Sequence, residues 1–127
     1  MSDMGTFRTN IEIENPAYPG TRQTLTNVLV DTGSELTWIP TSVLEALGII
    51  ESKRAHFRLA DGRVIERRVG IACVYAGGTS TGDDVVFAEP GDSLLLGARS
   101  LEGLNVHVDP VRKMLVDAGP APAAAAA

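Results

Sequence analysis

The sequence predicts a mostly β domain, an antiparallel barrel or sandwich carrying one or two short helices. Three observations lead there. Apolar and polar residues alternate with a period of two in several runs, the mark of half-buried strands. Turn-forming pairs such as Pro19-Gly20, Asp61-Gly62, Pro90-Gly91 and Asp109-Pro110 punctuate those runs. No helix-period segment of ordinary length interrupts them, and no βαβ rhythm is present.

Taken in order, Phe7, Thr9, Ile11 and Ile13 alternate with Arg8, Asn10, Glu12 and Glu14 and predict the first strand. Asn15-Pro16 and Tyr18-Pro19-Gly20 turn the chain into a second strand over Thr24–Val30. Asp31-Thr32-Gly33-Ser34 reads as a turn, and Leu36–Ile39 as a strand closed by Pro40. Ser42-Val43-Leu44-Glu45 fits a capping box and Gly48 a helix C-terminus, so a two-turn helix is expected over Thr41–Leu47. His56–Leu59 and Arg63–Arg68 flank Asp61-Gly62, a dipeptide that favours a tight two-residue hairpin turn. Val69, Ile71, Cys73 and Tyr75 are expected to share one face, with Cys73 in the core. Ala76-Gly77-Gly78 through Gly82 reads as a loose loop, Val85–Ala88 as a short strand, and Leu94–Leu96 as an apolar strand ending at Gly97. A short helix over about Ser100–Leu104 precedes a last hairpin, in which Val106 and Val108 face Met114 and Val116.

The 127 residues suit one domain, expected over 1–118, followed by a disordered Pro/Ala-rich tail over 119–127. A net charge of −5 repels phosphate backbones, and the cations of 53–68 are interrupted by Asp61 and Glu66, so no nucleic-acid partner is expected. One cysteine rules out an internal disulfide, Met1–Gly5 has no leader pattern, and the longest apolar run is Ile71–Ala76. The expectation is a cytoplasmic protein with no membrane partner. His56 and His107 lack partners at ligand spacing, so no metal and no cofactor are expected. Asp83 and Asp84 read as solvated loop carboxylates.

One constellation could carry chemistry: Val28-Leu29-Val30-Asp31-Thr32-Gly33-Ser34, then Leu36-Thr37-Trp38-Ile39-Pro40. An aspartate leaving an apolar strand onto a turn has its carboxylate near backbone amides, with two hydroxyls beside it. Asp, Thr, Gly and Ser are equally the vocabulary of an ordinary Asx turn. The wider stretch resembles the active-site turn of aspartic proteases, and Leu95-Leu96-Gly97 resembles the segment that crosses beneath that turn in the single-lobe, retroviral-type (retropepsin-like) branch, in bacterial style. The resemblance covers roughly residues 7–116. It implies a partly or fully closed acid-protease barrel, Asp31 as catalytic residue, and Thr32, Gly33 and Ser34 as support for its turn. It implies that Leu59, Ala60, Asp61, Gly62 and Arg63 form a substrate-covering flap, and that Leu95, Leu96 and Gly97 underlie the site. A peptide or protein is then the substrate.

Aspartic proteolysis needs two carboxylates on one water, and only one competent Asp turn is present, so the resemblance also implies a homodimer. Strands 7–14 and 106–116 are expected at its interface, Thr32 is expected to bond across the axis, and Ser34 to donate to the Asp31 carboxylate. Two departures stand out: the flap tip is not glycine-rich, and Ala98 replaces the arginine that often follows the second signature, with Glu35 on the turn side. Arg99 is one position off. Leu115-Val116-Asp117-Ala118-Gly119-Pro120 echoes the first turn but lacks the hydroxyl and an amide at Pro120. Gly91-Asp92-Ser93-Leu94 spells an esterase nucleophile block without the His block that Ser93 would need, and reads as a turn. The alternative function is a catalytically silent dimerisation or peptide-binding module of the same fold.

Overall fold

The computed structural model describes residues 7–123. Its elements are β1 (Arg8–Glu14), β2 (Arg22–Val30), β3 (Thr37–Pro40), α1 (Thr41–Ala46), β4 (Lys53–Arg58), β5 (Val64–Ala76), β6 (Thr79–Ala88), β7 (Leu95–Leu96), α2 (Ala98–Leu104), β8 (Val106–Asp109) and β9 (Met114–Asp117). Seven strands pair in the order β1-β2-β7-β3-β6-β5-β4, and β1 returns to pair with β5. Six strands therefore close a ring, the partly closed barrel of the acid-protease type. β4 hangs outside it on β5, and β8–β9 form a separate hairpin. Among the described residues no helix is long and apolar enough to cross a membrane.

Alternation builds the ring. Ile11 and Ile13 of β1, Val28 and Val30 of β2, Ala72, Val74 and Ala76 of β5, and Val85 and Phe87 of β6 converge in one buried cluster, sealed by Leu101 and Leu104 of α2. Between Thr9 and Ile11 the register slips: Asn10 of β1 faces two residues of β2, Thr26 and Asn27, the latter at φ 57°, which makes a bulge in β2.

Several elements differ from the sequence reading. β5 is one strand of 13 residues, and from Ala72 onward its even-numbered side chains enter the core, so Ile71 is exposed and Cys73 only half-buried. The loop expected over Ala76–Gly82 is instead a two-residue turn: Ala76 pairs with Thr79, and Gly77 and Gly78 sit at φ 62° and 79°. Positive φ at both central residues is what a tight hairpin matching strand twist requires. β6 then starts at Thr79, its first half hidden from a hydrophobicity reading by Thr, Ser and Asp. α1 has Pro40 as N-cap and no side-chain cap, so the capping box does not form, whereas Gly48 does adopt the left-handed φ of 76°. In the last hairpin Val108 opposes Leu115 and Val106 opposes Asp117, one position off the expected pairing, because Leu115 rather than Met114 is buried. Residues 119–123 carry no strand or helix, and the ends of the expected domain and tail, 1–6 and 124–127, lie outside the described residues.

Glu14 was expected on the solvent face of β1 but is buried. Its carboxylate accepts from the Tyr75 hydroxyl at 2.6 Å and from the Gly20 amide at 2.6 Å, pinning the 15–20 loop to β5. Those bonds, the Tyr75 hydroxyl first, hold the Glu14 carboxyl below its ordinary range. A depressed folded pKa contributes stability present above the unfolded value of about 4.3 and lost as pH falls through the folded value. Glu14→Gln should therefore lower the melting temperature at pH 7, and thermal melts from pH 7 to 3 should show the gap to the unmodified protein closing below about pH 4. A gap constant across that range would contradict the assignment.

Candidate active site

β7 is two residues long and survives by threading between two neighbours. It runs parallel to β2, with Leu29 beside Leu95 and Val30 beside Leu96, and antiparallel to β3 at Trp38. Asp31 leaves β2 at that crossing, and its amide donates to the Leu96 carbonyl at 3.0 Å. The turn closes when the Ser34 amide donates to the Asp31 carbonyl at 3.2 Å and the Gly33 amide to Asp31 Oδ1 at 2.9 Å. From below, the Ala98 amide donates to the Ser34 carbonyl at 2.8 Å and the Arg99 amide to the Glu35 carbonyl at 3.0 Å. A β-carbon on Gly97 would collide with the Leu36 carbonyl, so only glycine lets the two chains lie this close.

Thr37 completes the floor. Its Oγ1 accepts from the buried Gly97 amide at 3.0 Å and lies 2.6 Å from Ser100 Oγ, which donates to Asp83 Oδ2 at 3.1 Å. Each hydroxyl has one proton. Since Ser100 gives its proton to a carboxylate, Thr37 must give its own to Ser100. Asp83, read from sequence as solvated, is thus the buried end of this relay, its side chain 8% exposed beside Arg99 at 3.7 Å. Arg99 serves Asp83 and Asp84 and does not replace the missing arginine at the turn.

Opposite the turn stands the β4–β5 hairpin, and between them lies a cleft of about 750 Å³. Its walls include Leu36, Trp38, Phe57 and Leu95, with the Trp38 and Phe57 rings edge to face at 5.1 Å. Of the residues expected at the site, Asp31, Gly33, Ser34, Leu59, Ala60, Arg63 and Leu95 line this one cleft. Thr32 is exposed beside it, Leu96 and Gly97 are buried beneath, and Asp61 and Gly62 form the hairpin tip. The tip is a three-residue loop, not the expected two-residue turn. Leu59 pairs with Arg63, the Gly62 amide donates to the Leu59 carbonyl at 2.9 Å, and Gly62 takes φ 91°. The amide of Arg63, then its guanidinium, hold the exposed Asp61 carboxyl below its ordinary range.

Ser34 does not behave as expected. Its hydroxyl donates to the Leu36 carbonyl at 3.0 Å and so braces the turn without reaching the carboxylate. The Asp117 turn lies outside the cleft, and its carboxylate caps the Gly119 amide at 2.8 Å. Sequence reasoning missed the aromatic wall and the Arg67–Asp92 ion pair, whose halves are 25 residues apart. Asp92 was visible only inside the Gly91–Leu94 block, and Arg67 only as one cation among six. Among the described residues no three His, Cys, Asp or Glu side chains converge where a metal ion could sit.

The family model described as gag-polyprotein putative aspartyl protease matches residues 22–103. The chain belongs to this retroviral-type aspartyl protease family. No curated protein matches it. The part shared with the aspartyl protease family runs from the first residue of β2 to Gly103 in α2, and so contains the Asp31 turn, the hairpin and the crossing beneath them. β1, β8 and β9 lie outside the match.

The floor of this aspartyl protease domain makes a direct prediction. Thr37→Val keeps the shape but leaves the buried Gly97 amide without an acceptor, a loss of about 1–3 kcal/mol. Urea unfolding should show a lower midpoint with an unchanged slope. A midpoint equal to that of the unmodified protein would contradict the role given to the hydroxyl.

Proposed function

We propose that this domain is an aspartic endopeptidase in which two Asp31 carboxylates, one from each subunit of a homodimer, activate a water molecule to hydrolyse a peptide bond. The observation that carries the reading is Asp31 itself: one Asp-Thr-Gly turn, clamped from below, half-buried at the floor of a cleft roofed by a hairpin.

The chemistry follows from one carboxylate being too few. Two carboxylates face to face cannot both ionise at low cost, so the pair holds one proton between them. The ionised member takes a proton from the water as it attacks the scissile carbonyl carbon. The protonated member gives its proton to the carbonyl oxygen, and the tetrahedral intermediate collapses as the leaving nitrogen is protonated. The Gly33 amide holds Oδ1 of Asp31 and so fixes the plane of the carboxylate toward the cleft. Trp38, Phe57, Leu36 and Leu95 supply an apolar wall that excludes water and accepts apolar substrate side chains. The hairpin over 59–63 covers an extended peptide bound above Asp31, and Thr32, exposed at the turn, is available to a second subunit. The strands outside the family match, β1 with the β8–β9 hairpin, are the proposed edges of the dimer.

A peptide-library digest from pH 3 to 8 tests this reading. The protein should cleave, and Asp31→Asn should cut no faster than about a thousandth as fast, since removal of a catalytic group commonly costs that much. Specific activity should fall on dilution as subunits separate. Binding of extended peptides with cleavage by neither form would instead identify a peptide-binding module of the same fold.

A further inference from the structure

We propose that the Arg67–Asp92 ion pair is a positioning device that holds the arm of the 59–63 hairpin at working height above Asp31. The kinetic part of this proposal rests on the peptidase reading; the mechanical part does not.

The arm's other ties to the body are Ala55, Phe57 and Ile65 against the second apolar cluster, Arg68 over the Phe87 ring, and three ion pairs. Those pairs, Lys53–Asp84, Arg68–Glu45 and Arg68–Glu89, each have one member at least 45% exposed. β5 pairs with β6 from Val69 onward, and Val64–Arg68 pair only with β4, so residues 53–68 form a two-stranded ribbon outside the ring. Such a ribbon is marginal alone. Arg67 sits on the row of β5 that also carries Ile65 and Val69, the row packed toward Leu36, Trp38 and Leu95. A guanidinium among apolar neighbours needs a partner to offset its lost hydration. It has one in a two-pronged fork: Nε donates to Asp92 Oδ2 at 2.7 Å and an Nη to Oδ1 at 2.9 Å. The two side chains are only 21% and 13% exposed, well below the other arm pairs such as Arg54–Glu51 at 55% and 34%.

Asp92 is itself fixed. Its Oδ2 also accepts from the Glu89 amide at 2.8 Å, which closes the turn between β6 and β7. Gly91, Asp92 and Ser93 line the cleft, and the chain from them enters Leu95 and Leu96, whose backbone holds Asp31. The fork therefore ties the roof of the cleft to the segment that makes its floor. The guanidinium holds the Asp92 carboxyl below its ordinary range, and the carboxylate raises Arg67, as expected of a pair that stays charged. This assigns a role to the Gly91–Leu94 block, which the hydrolytic chemistry leaves unused. Neither residue touches the reacting atoms, so both are positioning residues.

Asp92→Asn keeps the shape and an acceptor for the Glu89 amide while removing the charge. Amide hydrogen exchange should speed up about tenfold over residues 55–68, the scale of one lost charge-assisted hydrogen bond, and stay unchanged over 72–76 and 85–87. For an extended peptide KM should rise about tenfold with kcat within about twofold, because the bonds that hold Asp31 are separate. Arg67→Gln, which leaves Asp92 in place to accept from the Glu89 amide, should speed exchange over the same residues, and the double variant with Asp92→Asn should add little to either single change. Unchanged exchange over 55–68, or acceleration spread evenly through the chain, would overturn the proposal. If the unmodified protein cleaves no peptide, the peptidase reading fails, and the exchange pattern alone decides the tether.

Discussion

Gly97 has no room for a side chain, and the candidate site is organised around that fact. A two-residue strand can persist inside a sheet only when both flanks are paired, and β7 achieves this by running parallel to β2 and antiparallel to β3. The close crossing brings the amides of Ala98 and Arg99 to the carbonyls of Ser34 and Glu35, so α2 begins against the turn that carries Asp31. Any side chain at 97 would push these chains apart and break those bonds together. Thr37, Ser100 and Asp83 extend the arrangement outward, so the floor of the cleft is a bonded unit.

The roof is built differently. Its ladder to the body stops at Val69, and its packing rests on Phe57 against Trp38 and on Ile65 in the second apolar cluster. For the proposed peptidase, a bonded floor and a lightly attached roof suit an extended peptide that is admitted and then held. The clamp sets where Asp31 points, and the arm sets the space above it. On the proposed reading, chemistry depends on the first and substrate capture on the second.

Legible in the sequence were those parts whose geometry rests on local backbone chemistry. Asp31-Thr32-Gly33 between two apolar strands, and Leu95-Leu96-Gly97, are recognisable because a tight turn and a close crossing admit few residue types. The strands β1, β2 and the second half of β6 were legible from their apolar patterns, whereas closure of the six-strand ring was implied only by the family resemblance. Where alternation fails, so did the reading: Thr79–Asp84 are polar on both faces, and a strand looked like a loop. The faces of β5 were reversed past Val69 because Ile71, Cys73 and Tyr75 look as apolar as Ala72, Val74 and Ala76, and only the neighbouring strands decide which row is covered. Ser34 stands beside Asp31 in sequence, yet its hydroxyl turns to Leu36. The Arg67–Asp92 fork joins two elements that only the folded chain brings together.

The central claim is that one functional carboxylate per chain makes half a site. Subunit mixing tests it most directly: the protein is equilibrated with an equal amount of Asp31→Asn chain, at a concentration where dimers exchange, and peptide cleavage is followed. If each site takes Asp31 from both subunits, mixed dimers are inactive and random pairing leaves about half of the starting activity, falling further as the variant is added in excess. Activity that stays proportional to the unmodified chain, whatever the amount of variant, would contradict the account.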